Sequence, residues 1–312
     1  MEIQQVSAGE YDRALRKSCP VYLTGPFNEL HDEPSGARRY LLFGKDGARL
    51  ALACVKRDST LCSPISAPFG GFAKCVHEVR IREYAAAAIA LTNYARDAGC
   101  SAVSITMPST IYDPGHVAKT ETALTNAGFQ AERTELNYHL DLNRLRQNYS
   151  DHISHAARKN LKRSRDSELT FRVGGKDDLP VAYEVLRKNR ESKGYSLAMS
   201  RDQVENTKSI VSGNEYLVCE CDEPIAAALV FDVTDRIAQV IYWGHLPGAE
   251  AARPVNLLAW KLLEHYSDRG FECLDIGPGS GDDGLPNFGL CDFKESIGCS
   301  ATLKHTFRRT LP

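Results

Sequence analysis

The chain has 312 residues, 43% hydrophobic and 25% charged, enough for two domains of about 150 residues each, with their own cores. Its 38 basic and 40 acidic residues leave a net charge of −2, which excludes a generally polybasic protein. No apolar run reaches the roughly 18 residues of a membrane span, and Met1–Ser7 lacks a signal-peptide pattern, so a cytoplasmic protein without membrane insertion is expected.

The first hairpin signal is Tyr40–Phe43, a turn containing Asp46, and the apolar run Leu50–Val55. A helix is predicted from Glu78 to Ala98, with Ile81, Tyr84, Ala85, Ala88 and Ala95 inward and Gly99 closing it. A buried strand Ala102–Met107, a helix Ala118–Ala127 closed by Gly128, and a strand Glu135–Leu142 complete this half. Three helical segments, Ser150–Ser167, Asp178–Lys193 and Arg201–Val211, read as an insert. The pattern then restarts with Tyr216–Cys219, a turn containing Asp222, the run Ile225–Val233 and a further strand. A helix Pro254–Asp268 follows, with Val255, Leu258, Ala259, Leu262 and Tyr266 inward, proline in its first turn and Gly270 after it. The strand Cys273–Ile276 leads to a loop, Gly277–Gly289, in place of the second helix. A short turn and the strand Ala301–Phe307 end the half.

Tyr40/Tyr216, Asp46/Asp222 and Ala51/Ala227 share an offset of 176 residues; Leu91/Leu262, Asp97/Asp268, Gly99/Gly270 and Ile105/Ile276 share one of 171. The succession therefore occurs twice. It predicts an α/β (α+β) fold of two tandem domains, 1–145 and 146–312, each a mixed sheet flanked by helices. Of ten cysteines, Cys54, Cys219 and Cys273 sit in apolar runs, and no C-x-x-C occurs, so reduced thiols and no metal are expected.

On the first inserted helix, Ile153, Ala157, Leu161 and Ser164 share one side, while Arg158, Lys162 and Arg165 lie opposite, flanked by Lys159 and Arg163. From Arg144 to Arg172 eight basic residues stand against three acidic ones. Such a face suits the phosphates of a nucleotide-linked acceptor or a transfer RNA backbone; a solvated helix face is the simpler alternative.

In the second half, Tyr242-Trp243-Gly244, Asn256-Leu257-Leu258-Ala259-Trp260, Asp275-Ile276-Gly277 and Phe293-Lys294-Glu295-Ser296-Ile297-Gly298 occur in order. This set, with the basic helix before it, resembles the GNAT acyltransferases in tandem form, specifically the FemAB-like family related to peptidoglycan aminoacyltransferases. The resemblance spans about Tyr40 to Phe307. It implies transfer of an activated acyl group to a primary amine, without a metal or a tightly bound cofactor. The donor would be an aminoacyl-tRNA or acyl-CoA, and the acceptor an amine on a cell-envelope precursor or amino sugar, with transfer RNA as a partner and DNA as none. It assigns charge stabilisation to Phe293 and Lys294.

Asp275 ends a buried strand, where it can orient an amine or cap the glycine turn that follows. Tyr242 and His245 lie on the strand that supplies the base in many enzymes of this fold, with His245 read as a loop residue. Trp243, Arg253 and Asn256 are candidate substrate contacts beside Arg158, Lys162 and Arg165, and Trp260 reads as core. The loop Pro247–Asn256 lacks the spaced glycines of the usual coenzyme A motif, and Glu250 opposes an anion there. The run Gly277–Gly284 lacks the Gly-Lys-Ser/Thr of a P-loop and reads as a mobile lid beside the site. An acetyl-CoA-dependent N-acetyltransferase of a small metabolite is the alternative enzyme, and a non-catalytic binding module on the same fold is the alternative outside enzymes.

Overall fold

Alternating apolar strands and two long amphipathic helices per half generate the architecture seen in a computed structural model, which describes residues 1–30, 37–175, 177–281 and 283–312. The first half runs β1 (Glu2–Val6), α1 (Ala8–Ala14), α2 (Gly25–Asn28), β2 (Arg38–Gly44), β3 (Leu50–Arg57) and β4 (Thr60–Ser63). It continues through β5 (Ala73–Lys74), α3 (Ile81–Asp97), β6 (Ala102–Thr106), α4 (Pro114–Asn126) and β7 (Gln130–Asp141). After α5 (Leu142–Leu145) and α6 (His155–Asp166) come β8 (Thr170–Val173), α7 (Leu179–Glu191), α8 (Arg201–Lys208), β9 (Gly213–Glu220), β10 (Glu223–Asp232) and β11 (Ile237–His245). The chain closes with α9 (Pro254–Asp268), β12 (Cys273–Pro278), α10 (Phe288–Ser296) and β13 (Ser300–Thr310).

The repeat is longer than the sequence indicated. Strand β8 with α7 and α8 occupies the place in the second half that β1 with α1 and α2 holds in the first, so only α5 and α6 are inserted. The span expected to be a loop and a short turn holds a helix, α10, in the place of α4. Its start is fixed by the Asn287 side chain accepting from Leu290 N.

The chain divides into two compact units, Met1–Leu136 with Thr302–Pro312, and Asn137–Ala301. The division differs from the expected boundary at 145/146 because the repeats exchange their last strands. β13 pairs antiparallel with β6 through Thr306–Thr310 in the first unit, and the end of β7 pairs antiparallel with β12 in the second.

In the first unit β2 and β3 form the expected hairpin, β4 runs parallel to β6, and α3 buries Tyr84, Ala87, Ala88, Leu91 and Ala95. Ile81, expected inward, is 47% exposed. Past Ser63 the corner of this unit is filled. A Cβ on Gly70 would meet Ser63 Oγ at 2.5 Å, and Phe69 and Phe72 are buried beside it. His116 lies in the same core, one ring nitrogen 2.7 Å from Phe72 O and the other 2.7 Å from Tyr84 Oη. The carbonyl can only accept, so Nε2 carries the proton and Nδ1 accepts from the tyrosine. Burial pushes this histidine's pKa down to about 4. The unfolded chain takes up a proton first as pH falls, so the associated stability is full above the ordinary value of 6.5 and is lost towards pH 4. Acid unfolding followed by circular dichroism is expected to lose roughly 2–3 kcal/mol across that window, and His116→Gln should flatten this part of the curve. An unaltered curve in the variant would remove His116 as its source.

In the second unit the sheet order is β7-β12-β11-β10-β9-β8. β11 and β12 are its parallel pair, and their register covers only Ile237–Gln239 against Cys273–Asp275. Helix α9 packs on β9, β10 and β11 and α6 packs on α9, whereas α7 packs on β10 and β11. Pro254 and the glycine after Arg269 place α9 at the predicted residues. Val255 is only half-buried and belongs to the site below rather than to the core.

Candidate active site

The short register between β11 and β12 creates the site. Both strands continue beyond it, to His245 and Pro278, without pairing to each other, and a cavity of about 530 Å³ opens at that end. A crevice beyond the carboxyl ends of parallel strands is where open α/β sheets bind ligands. Its wall comes from β11 (Trp243, Gly244, His245), the loop before α9 (Glu250, Arg253), the first turn of α9 (Pro254, Val255, Asn256), and α10 with its approach (Ser280, Gly281, Asn287, Gly289, Leu290, Phe293). Asn160 of α6 and Asn189, Arg190, Lys193 and Tyr195 of α7 and its extension complete it. Of the proposed lid, Ser280 and Gly281 line the wall, and Gly281 N donates to Leu285 O at 3.0 Å; Asp282 lies outside the described residues.

Three irregularities aim these side chains. Leu229 pairs with Tyr242 but Val230 pairs with Val240, so Ile241 is an extra residue. The bulge turns Tyr242 and Gly244 towards α7, and Trp243 towards the core beneath α9, where it meets Phe293 edge-on at 5.8 Å. Gly244 has no room for a side chain: a Cβ there would lie 2.3 Å from Asn189 Oδ1. That closeness lets buried Asn189 donate to His245 O at 2.8 Å and accept from Lys193 Nζ at 3.2 Å. The third irregularity is in β12, where Asp275 pairs with His139 and Gly277 with Tyr138, leaving Ile276 extra and Gly277 at φ +77°.

Lys294 answers that bulge. The residue is 2% exposed, and its ammonium donates to Ile276 O at 3.0 Å, Gly277 O at 3.0 Å and Pro278 O at 2.7 Å, with the Tyr138 ring centroid 5.5 Å away. Burial pulls its pKa down to about 8, yet three carbonyl acceptors hold the charged form, so it is an ammonium at neutral pH. It lies behind the wall that its neighbour Phe293 lines. Asp275 is likewise buried, accepting from Asn137 Nδ2 at 2.8 Å, Gln239 Nε2 at 3.0 Å and Gly277 N at 2.9 Å. The last bond is the turn-capping alternative of the sequence reading. Tyr242 is buried on the α7 side, its hydroxyl accepting from Met199 N at 3.2 Å and Arg190 lying 5.7 Å over its ring. Burial raises its pKa.

The candidates therefore separate. Trp243, Arg253, Asn256 and Phe293 meet at the cavity; Lys294, Asp275 and Tyr242 support its strands from behind. Arg158, Lys162 and Arg165 are exposed on α6 outside the lining. Arg158 donates to Ser150 O, and Arg165 stacks 5.2 Å over Trp260, which is half-buried against the core. The α6 residue that does reach the cavity is Asn160.

Sequence reasoning missed Arg190 and Lys193, which with Arg253 set three cations against the single carboxylate of Glu250. Burial and the adjacent Arg190 lower the pKa of Lys193. Backbone N–H groups of Glu250 itself and of Gly248 hold the Glu250 carboxyl below its usual range. The signal was the basic run at the end of α7, Arg187 to Lys193, indistinguishable in sequence from a solvated helix end. His245, read as a loop residue, also lines the cavity. Its Nδ1 is 2.9 Å from Leu246 O; a carbonyl can only accept, so Nδ1 carries the proton and Nε2 is the basic nitrogen. Among the described residues no cluster of His, Cys, Asp and Glu could hold a metal ion, and no helix is long and apolar enough to cross a membrane.

Residues 152–294 match the family model described as Acetyltransferase (GNAT) domain, and that stretch contains every residue of the cavity wall. The chain matches none of the curated proteins. Among solved structures it is similar to FemX, at 13% identity and a TM-score of 0.70, over 100% of this chain and 98% of that one. It is similar to L-PGS from Bacillus licheniformis, at 13% identity and a TM-score of 0.62, over 96% and 90% of the two chains. A tandem GNAT protein from the clavulanic acid biosynthesis pathway gives 13% identity and a TM-score of 0.54, over 99% and 98%. At such identities the likeness is one of fold, and it confirms the tandem mixed α/β build expected from the internal repeat. Residues 152–294 of this chain match a GNAT-type acetyltransferase domain, on a fold shared with solved proteins of tandem GNAT construction.

Proposed function

We propose that the second unit transfers an activated acyl or aminoacyl group to a primary amine in this cavity, the acceptor being a cell-envelope precursor or an amino sugar in the cytoplasm. The observation that carries this reading is the convergence, in one crevice between splayed parallel strands, of a long helix's first turn with Arg190, Lys193 and Arg253. Amine attack on an ester or thioester gathers negative charge on the carbonyl oxygen and releases a proton from nitrogen. The cations hold the phosphates or carboxylate that accompany such donors and acceptors, at the positive end of α9. Asn160 and Asn256 orient the reacting groups through amide hydrogen bonds, and Trp243 with Phe293 keeps one wall dry. His245 Nε2 takes the proton and returns it to the donor's oxygen or sulfur as the carbon–oxygen or carbon–sulfur bond breaks, so the alcohol or thiol leaves protonated. Lys294 and Asp275 act one step removed, by fixing the end of β12.

Replacing Arg190 and Lys193 together by alanine is expected to raise KM for the anionic substrate about tenfold or more, with a smaller change in kcat. Unchanged kinetics would place the reaction elsewhere. The donor is an aminoacyl-tRNA or an acyl-CoA. An acetyl-CoA-dependent N-acetyltransferase of a small metabolite is the second reading, favoured by the acetyltransferase description of the matching family. Thermal stabilisation by coenzyme A, but not by aminoacyl-tRNA mimics or nucleotide sugars, would select it.

A further inference from the structure

One edge of the cavity carries apolar side chains that neither the core nor the wall uses. Leu285 and Phe288 are 65% and 76% exposed, on either side of a segment whose Asn287 lines the cavity together with Gly289 and Leu290. The tip is held in this presentation: Ser280 bridges Pro286, Gly281 N donates to Leu285 O, and Asn287 N donates to Gly279 O. On α6, which reaches the same cavity through Asn160, Lys159 and Arg163 lie nearest that asparagine round the helix, and Arg158, Lys162 and Arg165 lie further from it. All five cations are exposed, and none forms an ion pair among the described residues. In a chain of net charge −2, attraction to a polyanion has to come from such a local face rather than from the whole molecule.

We propose that this rim docks on an anionic lipid bilayer, Leu285 and Phe288 entering the interfacial layer while the α6 cations meet the headgroups. An apolar tip beside a basic helix face is the composition that interfacial binding requires. A nucleic acid backbone would engage the cations but leave the leucine and phenylalanine in water. A second copy of this chain would have to bury the same five like charges near its own. The attachment is peripheral and reversible, because two apolar side chains and a few cations contribute little individually and salt screens the charges over about 8 Å at physiological ionic strength. The proposal concerns docking alone and stands whether or not the transfer chemistry is as described.

The test is sedimentation of the full chain with vesicles of phosphatidylcholine and phosphatidylglycerol in equal parts, against phosphatidylcholine alone. Binding is expected to the mixed vesicles only and to fall with added salt. Leu285→Ser with Phe288→Ser, and separately Lys159→Glu with Arg163→Glu, should each weaken it about tenfold or more. Circular dichroism and melting temperature should stay unchanged, since these side chains lie at the surface. Absence of binding to mixed vesicles would overturn the proposal, as would equal binding by the Leu285/Phe288 variant. So would binding of bulk transfer RNA that needs the α6 cations while vesicles are ignored. A dimer in light scattering that dissociates in the Leu285/Phe288 variant would assign the tip to a second copy instead.

Discussion

Lys294→Met is expected to lower both stability and turnover, the former by about 3–5 kcal/mol in urea unfolding. The ammonium satisfies three carbonyls at the bulged end of β12, those of Ile276, Gly277 and Pro278. Leaving a buried acceptor unpaired costs about 1–3 kcal/mol each, and the relief of no longer burying a charge offsets only part of the three. Turnover should fall because Ile276, Gly277 and Pro278 would relax, and Phe293, the next residue on α10, would shift with them. The family resemblance gives this lysine charge stabilisation in the reaction; its three carbonyl bonds add a structural part. The two roles separate cleanly. A lysine that only stabilises the reaction would leave the urea midpoint unchanged while abolishing turnover, and that result would refute the positioning role.

How much of this was legible in the sequence can be traced to the range of the interactions. Helix α9 was placed at its exact residues because Pro254 and the glycine after Arg269 are local signals with local causes. The inward side of α6 was equally readable: Ala157, Leu161 and Ser164 are buried as its periodicity demands. Helix α10 was missed although Asn287 is its cap, because Gly289 breaks its propensity and its apolar spacing is sparse. β8 was missed since its four residues are mostly exposed and carry little alternation. The exchange of β7 and β13 leaves no local trace, because either strand has the same composition whichever sheet receives it. At the site, motif residues were found but their depth was not. The bulges at Ile241 and Ile276 decide which residue of each pair faces the cavity, and both arise from long-range pairing. Arg190 and Lys193 reach the cavity only through the packing of α7 on β10 and β11, which the Asn189–Gly244 contact fixes.

That contact bears on the remaining large effect, His245→Ala, expected to lower kcat about a hundredfold with little change in KM. General-base assistance contributes about 10²–10⁴ in rate, and amine attack demands that a proton leave nitrogen. His245 is the cavity-lining side chain whose tautomer is fixed by a carbonyl: Leu246 O takes the Nδ1 proton and leaves Nε2 free to accept. Its backbone is held as well, since Asn189 donates to His245 O at 2.8 Å, so the ring is carried on a strand end tied to α7. Truncation to alanine keeps that backbone bond and removes the nitrogen alone. Imidazole added to His245→Ala should therefore restore part of the lost turnover, whereas a histidine needed only for packing would not be rescued by a soluble base. Tyr242 supplies the control. Its hydroxyl already accepts from Met199 N on the α7 side of the sheet, so Tyr242→Phe should retain most of the turnover. A large loss there, with His245→Ala near wild type, would move the base from the histidine to the tyrosine.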